Sequence, residues 1–308
     1  MRFTLRQLQV FVAVAQQESV SRAAESLALS QSATSTSLTE LERQTDCQLF
    51  DRAGKRLNLN ALGRQLLPQA VALLDQAKEI ERLLNGKSGF GSLNVGATLT
   101  VGNYLATLLI GSFMQRHPEC RVKLQVHNTA HVVQQIAHYE LDLGLIEGDC
   151  QHPDIEVQPW VEDELVVFCA PSHALAKRGE ASLGELSREA WILREQGSGT
   201  RLTFDQAMRH HPSSLNIRLE LEHTEAIKRA VESGLGIGCI SRLALRDAFR
   251  RGSLMPLETP ELDLRRQFYF IWHKQKYQTA AMREFLELCR ALTAGVRRSD
   301  EIVLPTIA

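Results

Sequence analysis

The sequence lacks the features that mark secreted, membrane-spanning and zinc-bound proteins. No apolar run reaches the roughly 18 residues that a membrane helix needs, and the amino-terminal stretch shows no signal-peptide cleavage pattern. The six cysteines are scattered and none forms a C-x-x-C pair, so neither a disulfide framework nor a cysteine zinc site is indicated. We therefore expect a cytoplasmic protein with reduced thiols and no membrane partner.

The chain also lacks a charge excess and any low-complexity tract. Its 308 residues carry 35 basic and 36 acidic side chains, for a net charge of −1. The first 66 residues hold eight Lys or Arg against six Asp or Glu, so charge alone does not indicate a DNA-binding protein. The length allows two or three domains of about 100–200 residues each.

Motifs for catalysis and cofactors are missing as well. No G-x-x-x-x-G-K-[ST] loop is present, and Gly234, Gly236 and Gly238 do not have the spacing of a dinucleotide-binding motif. His127 and His131 are four residues apart, but a strand ends and a helix begins between them, so the two need not share a face. The sequence predicts no enzyme, no catalytic residue, no metal and no cofactor.

What the first sixty residues do contain is a set of short helices separated by turns. Ser21 can cap a second helix carrying Ala23 and Ala24, and Ser30 can cap a third helix over residues 31–44. Two short helices joined by a tight turn are typical of a helix-turn-helix, and the small alanines allow the helices to cross closely.

The third helix carries more hydroxyl side chains than a packed face can accept. Short side chains with donors and acceptors suit contacts with phosphates and base edges in a major groove. A solvated helix of low propensity is the alternative interpretation. The residues predicted to contact DNA are Gln31, Ser32, Thr34, Ser35 and Thr36.

A basic turn follows in "LFDRAGKRLNLN". Leu49-Phe50 before the turn and the alternating Leu57 and Leu59 after it predict a small hairpin, and its tip carries Arg52, Lys55 and Arg56. Directly behind a helix-turn-helix, such a hairpin is interpreted as a wing whose cations bind phosphates in a salt-dependent manner.

A long helix should begin after the capping residue Asn60 and run to about Leu84. Pro68 should kink its first turns. Heptad spacing of apolar residues predicts a seam for a partner helix, formed by Leu66, Ala70, Leu73, Ala77, Ile80 and Leu84. Packing of this face on its own domain is the alternative. A symmetric homodimer would read a pseudo-palindromic duplex.

Behind a glycine-rich linker at residues 85–92, strands alternate with helices. This order predicts parallel sheets built from β-α-β units, arranged as two small α/β lobes. The chain should cross between the lobes near Phe168–Pro171 and again near Leu264–Phe268.

Several stretches together resemble the LysR-type transcriptional regulators. They are "SRAAESLALSQSATSTSLTELE", "LFDR" and "LNLNALG", and later "VGAT", "LDLGLIEG", "VVFCAPSHALA" and "VESGLGIGCIS". The resemblance runs from about residue 3 to 290. It implies an α+β multidomain chain: a winged helix-turn-helix over 1–60, a dimerising linker helix and hinge over 61–89, and an effector-binding domain over 90–300 like that of periplasmic binding proteins.

The same resemblance implies further properties. Lobe I would comprise about 90–167 and 267–300, and lobe II about 168–266. The regulator would assemble as a homotetramer, respond to a small molecule and have RNA polymerase as a further partner. A solute-binding or catalytic α/β protein with an accessory helical domain is the alternative, and a redox sensor is a third hypothesis.

In open α/β lobes, ligands bind beyond the carboxyl ends of strands, where helix N-termini favour anions. The effector is therefore predicted to be a small anion such as a carboxylate or an inorganic oxyanion. The resemblance implies that positions Thr98, Thr100 and Thr200 line the cleft. The full predicted set is Thr98, Thr100, Gly102 and Asn103 in one lobe, Ser198, Gly199, Thr200 and Arg201 in the other, and, as weaker candidates, Thr129, Glu147 and Thr224.

Overall fold

The computed structural model describes residues 2–53, 56–85, 90–209 and 215–303. Lys55 and the side chains of Arg52 and Arg56 lie outside this description, so the phosphate contacts predicted for them stay predictions. Among the described residues, no helix is both long and apolar enough to span a membrane.

The amino-terminal unit begins with three helices, each capped by a hydroxyl. Thr4 accepts a hydrogen bond from the Gln7 N–H, and Ser30 accepts one from the Ala33 N–H. The second helix is capped by Ser19 and not by Ser21, because the helix already begins at Val20 and Ser21 lies in its first turn. The helices are α1 Leu5–Gln17, α2 Val20–Ser26 and α3 Gln31–Thr45.

A hairpin and a long helix complete this unit. Strands β1 Phe50–Ala53 and β2 Arg56–Leu59 pair antiparallel, and Asn60 caps helix α4 Ala61–Leu84 by accepting from the Gly63 N–H at 2.8 Å. The helix continues as one element through Pro68. Pro68 is buried in the unit, so packing of the surrounding turns offsets the missing backbone donor.

Helix α4 has one face on its own unit and another that is open. Leu67, Ala70, Val71 and Leu74 are buried in the same apolar cluster as α1 and α3. The predicted seam is split between these faces: Ala70 is buried, Leu66 and Ala77 are half-buried, and Leu73, Ile80 and Leu84 are exposed. Packing on its own unit is therefore confirmed for one face, and pairing of the exposed face with a partner helix stays a prediction.

The remaining chain forms strands and helices in alternation. The strands are β3 Ser92–Thr98, β4 Arg121–His127, β5 Leu143–Glu147, β6 Ile155–Cys169, β7 Ala190–Arg194, β8 Asn216–Leu221, β9 Ile237–Ser241, β10 Met255–Leu257 and β11 Arg265–His273. The helices are α5 Leu99–Val101, α6 Thr107–Arg116, α7 Thr129–Ala137, α8 Leu183–Leu186, α9 Gly199–Met208, α10 Thr224–Glu232, α11 Arg242–Arg251 and α12 Ala280–Leu292, with a π-helical turn at Gly102–Ala106 between α5 and α6.

The strands form two lobes joined by two antiparallel crossing strands. The order along the sheet is β4-β3-β5-β11-β6-β9-β7-β8. Pairs within each lobe are parallel, but β6 and β11 run antiparallel to their neighbours, because a chain that leaves a lobe must return in the opposite direction. Strand β6 changes partners between Glu164 and Leu165, earlier than the predicted Phe168–Pro171, since one continuous strand spans both lobes.

The amino-terminal unit is fastened to lobe I by a buried ion triplet. Lys276 lies 2.8 Å from Asp75 on α4 and 2.7 Å from Asp142 in lobe I. Burial opposes its charge, but the two carboxylates hold the pKa of Lys276 above its ordinary value. Tyr277 also donates to Glu79 of α4 at 2.8 Å. Helix α4 and lobe I are thus joined by charge as well as packing.

A second contact of the two units depends on a neutral histidine. Tyr139 packs in the apolar cluster of the amino-terminal unit, and its carbonyl accepts from Gln16 at 2.7 Å. The Tyr139 hydroxyl lies 2.8 Å from Nδ1 of His273, which also accepts from the Gln275 N–H at 3.1 Å. Burial lowers the pKa of His273, with His152 and Lys276 acting in the same direction against Asp154. The His273 imidazole is therefore kept neutral, and its Nδ1 acts as a hydrogen-bond acceptor.

Acidification should loosen this junction. The unfolded chain binds the proton near pH 6.5 and the folded chain only below that, so stability present above pH 6.5 is lost as the pH falls through the lowered folded pKa of His273. His273→Asn keeps an acceptor near the Nδ1 position without a titration. Thermal unfolding of the full chain from pH 7.5 to 5 should show a weaker loss of Tm in this variant than in the wild type. The exposed His138→Asn is the matched control, and an unchanged pH dependence in His273→Asn would contradict the assignment.

Candidate functional site: an exposed helix face and an interlobe cleft

The outward face of α3 is polar and open. Gln31, Ser32, Ser35 and Thr36 are exposed, as the sequence predicts for a surface that contacts a partner. Thr34 is fully buried, and its hydroxyl donates to the Ser30 carbonyl at 3.0 Å. The prediction that Thr34 contacts DNA does not fit this position.

The burial of Thr34 follows from helical periodicity. Leu38 and Leu41 are also buried, and they lie four and seven residues after Thr34 on the same face. The hydroxyl back-bonds to the preceding turn, which satisfies it inside the unit. The open face of α3 therefore carries four of the five predicted side chains.

The cleft between the lobes is bridged at one point by backbone. The Gly199 N–H donates to the Thr129 hydroxyl at 3.1 Å, and that hydroxyl donates to the Glu147 carbonyl at 3.2 Å. The Ala130 N–H donates to the Gly197 carbonyl at 3.2 Å. A Cβ on Gly199 would lie 2.0 Å from the Glu147 oxygen, so only glycine permits this approach. Thr129 and Gly199 thus form one contact between the lobes, and Tyr104 of lobe I forms another with Glu225 and Lys228 of lobe II.

A buried ionic cluster lies beside this contact. The Arg266 guanidinium, on β11, lies 3.1 Å from Glu147 and 2.7 Å from Asp163, and it donates to the Thr200 hydroxyl at 2.9 Å. Burial opposes its charge, while Glu147 and Asp163 raise the pKa of Arg266. The predicted residues Glu147 and Thr200 are both brought here, where the Glu147 carboxylate is already engaged by a cation.

Two other predicted hydroxyls are buried without a hydrogen-bond partner. They are Ser198 Oγ and Thr224 Oγ1, at the beginnings of α9 and α10. The capping residues of these helices, Ser198 and His223, accept no side-chain hydrogen bond from the helix, and the same holds for Thr98 before α5. Helix starts with unsatisfied amides attract negative charge. Leu99 of α5 and His223 before α10 line the cavity between the lobes, whereas the first amide of α9, that of Gly199, is already bonded to Thr129.

A cavity of about 370 Å³ opens between the lobes. Its walls come from the ends of β4, β7 and β8 and from the start of the helix after β3: Leu99, Asn103, Val126, His127, Asn128, His131, Glu195, Glu222 and His223. The His127 and His131 rings are 4.3 Å apart, so the two do share a face. Burial, and then the neighbouring His131, lower the pKa of His127. Within the described ranges, no group of three or more His, Cys, Asp and Glu could hold a metal ion.

The first of the two predicted anion sites is shifted along the chain. The helix begins at Leu99, so the amides of Gly102 and Asn103 do not open it. Gly102 is buried where a Cβ would meet Val126 at 2.8 Å, which gives it a packing role. Asn103 does line the cavity, and Thr98 and Thr100 are buried at the helix start.

At the second predicted anion site, the cation Arg201 is already paired with acidic side chains. Arg201 donates to Asp205 and Glu220, each at 2.9 Å, and to the Arg194 carbonyl. Its charge is neutralised within lobe II, because its position in the first turn of α9 places it over β7 and β8. Arg201 therefore stabilises lobe II. Gly199 and Thr200 contact lobe I, but Ser198, Gly199 and Thr200 are not among the residues that line the cavity, so their role in effector binding stays a prediction.

Sequence reasoning missed both the ionic cluster and the walls of the cavity. Asp163 and Arg266 are 103 residues apart, and no local pattern connects them. His127 is the last residue of β4, and Glu195 and His223 come just after β7 and β8, so the rule that located Thr98 could have located all three.

Comparison with known proteins gives consistent results along the whole chain. Residues 5–64 match the family described as bacterial regulatory helix-turn-helix protein, lysR family, and residues 87–294 match the LysR substrate binding domain. The transcriptional regulator YeiE of Escherichia coli K12 is 44% identical over 94% of this chain and 98% of its own.

Two solved structures illustrate the likeness of the fold. The regulatory domain of Synechocystis CcmR, in complex with 2-PG, is 30% identical with a TM-score of 0.63, over 67% of this chain and 99% of that one. A full-length OxyR variant of Pseudomonas aeruginosa is 24% identical with a TM-score of 0.71, over 95% of each chain.

Removal of the buried cation should destabilise the chain strongly. Arg266→Met leaves Glu147 and Asp163 buried without a counter-charge, which should cost about 3–5 kcal/mol in the free energy of unfolding. Urea denaturation of the full chain measures this. Neutralisation of both acids in the same background, with Glu147→Gln and Asp163→Asn, should recover much of the loss. Arg265→Met, at the exposed neighbouring position, is the control and should change the free energy of unfolding little. Equal losses in Arg266→Met and Arg265→Met would refute the assignment.

Proposed function

The chain belongs to the LysR family of bacterial transcriptional regulators. From that premise we propose which of its sites bind DNA and which bind an effector. It is a DNA-binding regulator with an effector-binding domain, and its relatives are regulators and not enzymes. The proposed location is the cytoplasm, where the chromosome is accessible.

The open face of α3 is proposed to enter the major groove. Gln31, Ser32, Ser35 and Thr36 are its exposed contacts, and their short hydroxyls and amide suit phosphates and base edges. Arg52, Lys55 and Arg56 on the hairpin are proposed to bind phosphates. The exposed face of α4 is proposed to pair with a second copy, so that the dimer reads a pseudo-palindrome. A homotetramer and contact with RNA polymerase complete the proposed assembly.

Loss of the wing charges should weaken binding to all duplexes about equally. Each phosphate contact adds about 0.9 to the slope of log K against log salt, so Lys55→Ala with Arg56→Ala should lower that slope by about 1–2. Fluorescence anisotropy with a duplex from the chain's own upstream region and a scrambled duplex measures both quantities. Arg250→Ala with Arg251→Ala, in lobe II, removes equal charge elsewhere. A slope that is the same in both double variants would refute the wing.

The effector is proposed to be a small anion held between the lobes. The observation that carries this proposal is the pair of buried, unpartnered hydroxyls, Ser198 Oγ and Thr224 Oγ1, at two helix starts. A ligand that accepts from both would satisfy them and would meet the positive ends of α9 and α10. The complex of the CcmR domain with 2-PG supports a small ligand in this type of domain. Ligand-dependent lobe closure would then shift the dimer between DNA-bound states.

Calorimetry of the full chain tests the charge preference. The panel consists of sulfate, phosphate and small carboxylates against neutral sugars and amines. Ser198→Ala and Thr224→Val should each weaken anion binding about tenfold, since each removes one donor in a desolvated site. Thr203→Val is the control, because the Thr203 hydroxyl is already satisfied by the Gly199 carbonyl inside α9. Binding of neutral or cationic compounds alone would overturn the proposal.

A further inference from the structure

After α12 the chain turns back and lies along the strand that joins the lobes. The Glu162 N–H donates to the Arg297 carbonyl at 3.2 Å, and Glu162 and Arg298 form a parallel bridge. A short 3-10 turn follows at Ser299–Glu301, and Ile302 is buried in the core of lobe I. We name residues 296–303 the strap. It lies beyond residue 294, where the match to the LysR substrate binding domain ends.

The strap reaches the buried ionic cluster through one side chain. Ser299 is fully buried, and its hydroxyl donates to Asp163 at 2.5 Å. The same carboxylate accepts from Ser241 of lobe II at 2.7 Å and from Arg266 at 2.7 Å. Asp163 is therefore held at once by the strap, by lobe II and by the crossing strand β11.

The cluster continues from Asp163 to the cleft. Arg266 binds Asp163 on one side, and on the other it binds Glu147 of lobe I and the hydroxyl of Thr200 in lobe II. Thr200 lies in the first turn of α9, next to Gly199, whose amide bridges the lobes. The position of Ser299 thus bears on the lobe contact at Gly199 through three intermediate side chains, Asp163, Arg266 and Thr200.

A second set of contacts ties the strap to both sides of the hinge. Arg298 lies 3.1 Å from Glu164 on β6, at the residue where this strand passes from one lobe to the other. Arg246 on α11 of lobe II donates to the Ile302 carbonyl at 3.2 Å. Any rotation of lobe II about the crossing strands must therefore change these contacts or the bond of Ser241 to Asp163.

We propose that the strap is a hinge lock and that Ser299 is a positioning residue for the effector cleft. By fixing Asp163, it holds Arg266 and Thr200 where the lobes stay in contact, and it limits how far the cleft opens. The effect of this hinge lock on effector binding rests on the proposed function, but the lock itself follows from the contacts between the strap and the two lobes.

Hydrogen exchange of the full chain, followed by mass spectrometry without a ligand, tests the lock. The readout is the amides of Ala130 and Gly199, which bridge the lobes. Ser299→Ala removes a hydrogen bond to a buried carboxylate and should speed their exchange by about tenfold. Thr293→Val is the matched control, because Thr293 is also a buried hydroxyl near the carboxyl terminus, but it bonds Trp160 and Cys289 of lobe I only.

A second variant tests whether faster exchange in Ser299→Ala results only from misfolding. Arg246 is exposed, so Arg246→Met should fold normally, lose the hydrogen bond from α11 to the Ile302 carbonyl and speed exchange at the same two amides to a smaller extent. Faster exchange in both variants, with Thr293→Val unchanged, supports the lock. Unchanged exchange in Ser299→Ala and Arg246→Met, or an equal increase in Thr293→Val, overturns it. Operator binding measured in parallel separates the two proposals, since failure of the lock leaves DNA affinity and its salt slope intact.

Discussion

The arrangement of the two lobes depends on one buried cation. Arg266 lies on a crossing strand, and its guanidinium is shared by Glu147 of lobe I, Asp163 of the other crossing strand and Thr200 of lobe II. A buried charge is tolerated only where its partners surround it, so this cluster has few alternative geometries. Interior charges of this kind favour discrete arrangements of the lobes over a continuous range.

The contacts outside the cluster decide which parts move together. Lys276 joins α4 to lobe I through Asp75 and Asp142. Tyr139 of lobe I packs in the apolar cluster of the amino-terminal unit. No comparable set of bonds from lobe II to that unit occurs among the residues that the structure describes. A change of lobe angle would therefore move lobe II relative to a body that contains lobe I, α4 and α3, which under the proposed function would connect the effector cleft to DNA.

Much of the local structure could be predicted because it depends on neighbours in the chain. The caps Ser30 and Asn60, the helix of residues 61–84 and the strand-helix alternation follow from side chains within one or two turns. A prediction was wrong where another residue took the role assigned to the predicted one. Helix α2 begins one residue before the predicted cap Ser21 and is capped by Ser19. The exposure of Ser35 and the burial of Thr34, adjacent in sequence, differ only because of the helix face on which each lies.

By itself, the sequence determined the order of domains, the polar helix α3, and the candidate hydroxyls at the starts of α9 and α10, because periodicity, capping and strand ends are encoded within short segments. Only the tertiary structure decided which of these groups are free. It pairs Arg201 within lobe II, engages Glu147 with Arg266, and leaves Ser198 and Thr224 without partners. The reason is physical: satisfaction of a buried polar group depends on atoms brought close from distant parts of the chain, as Asp163, Arg266 and Ser299 are.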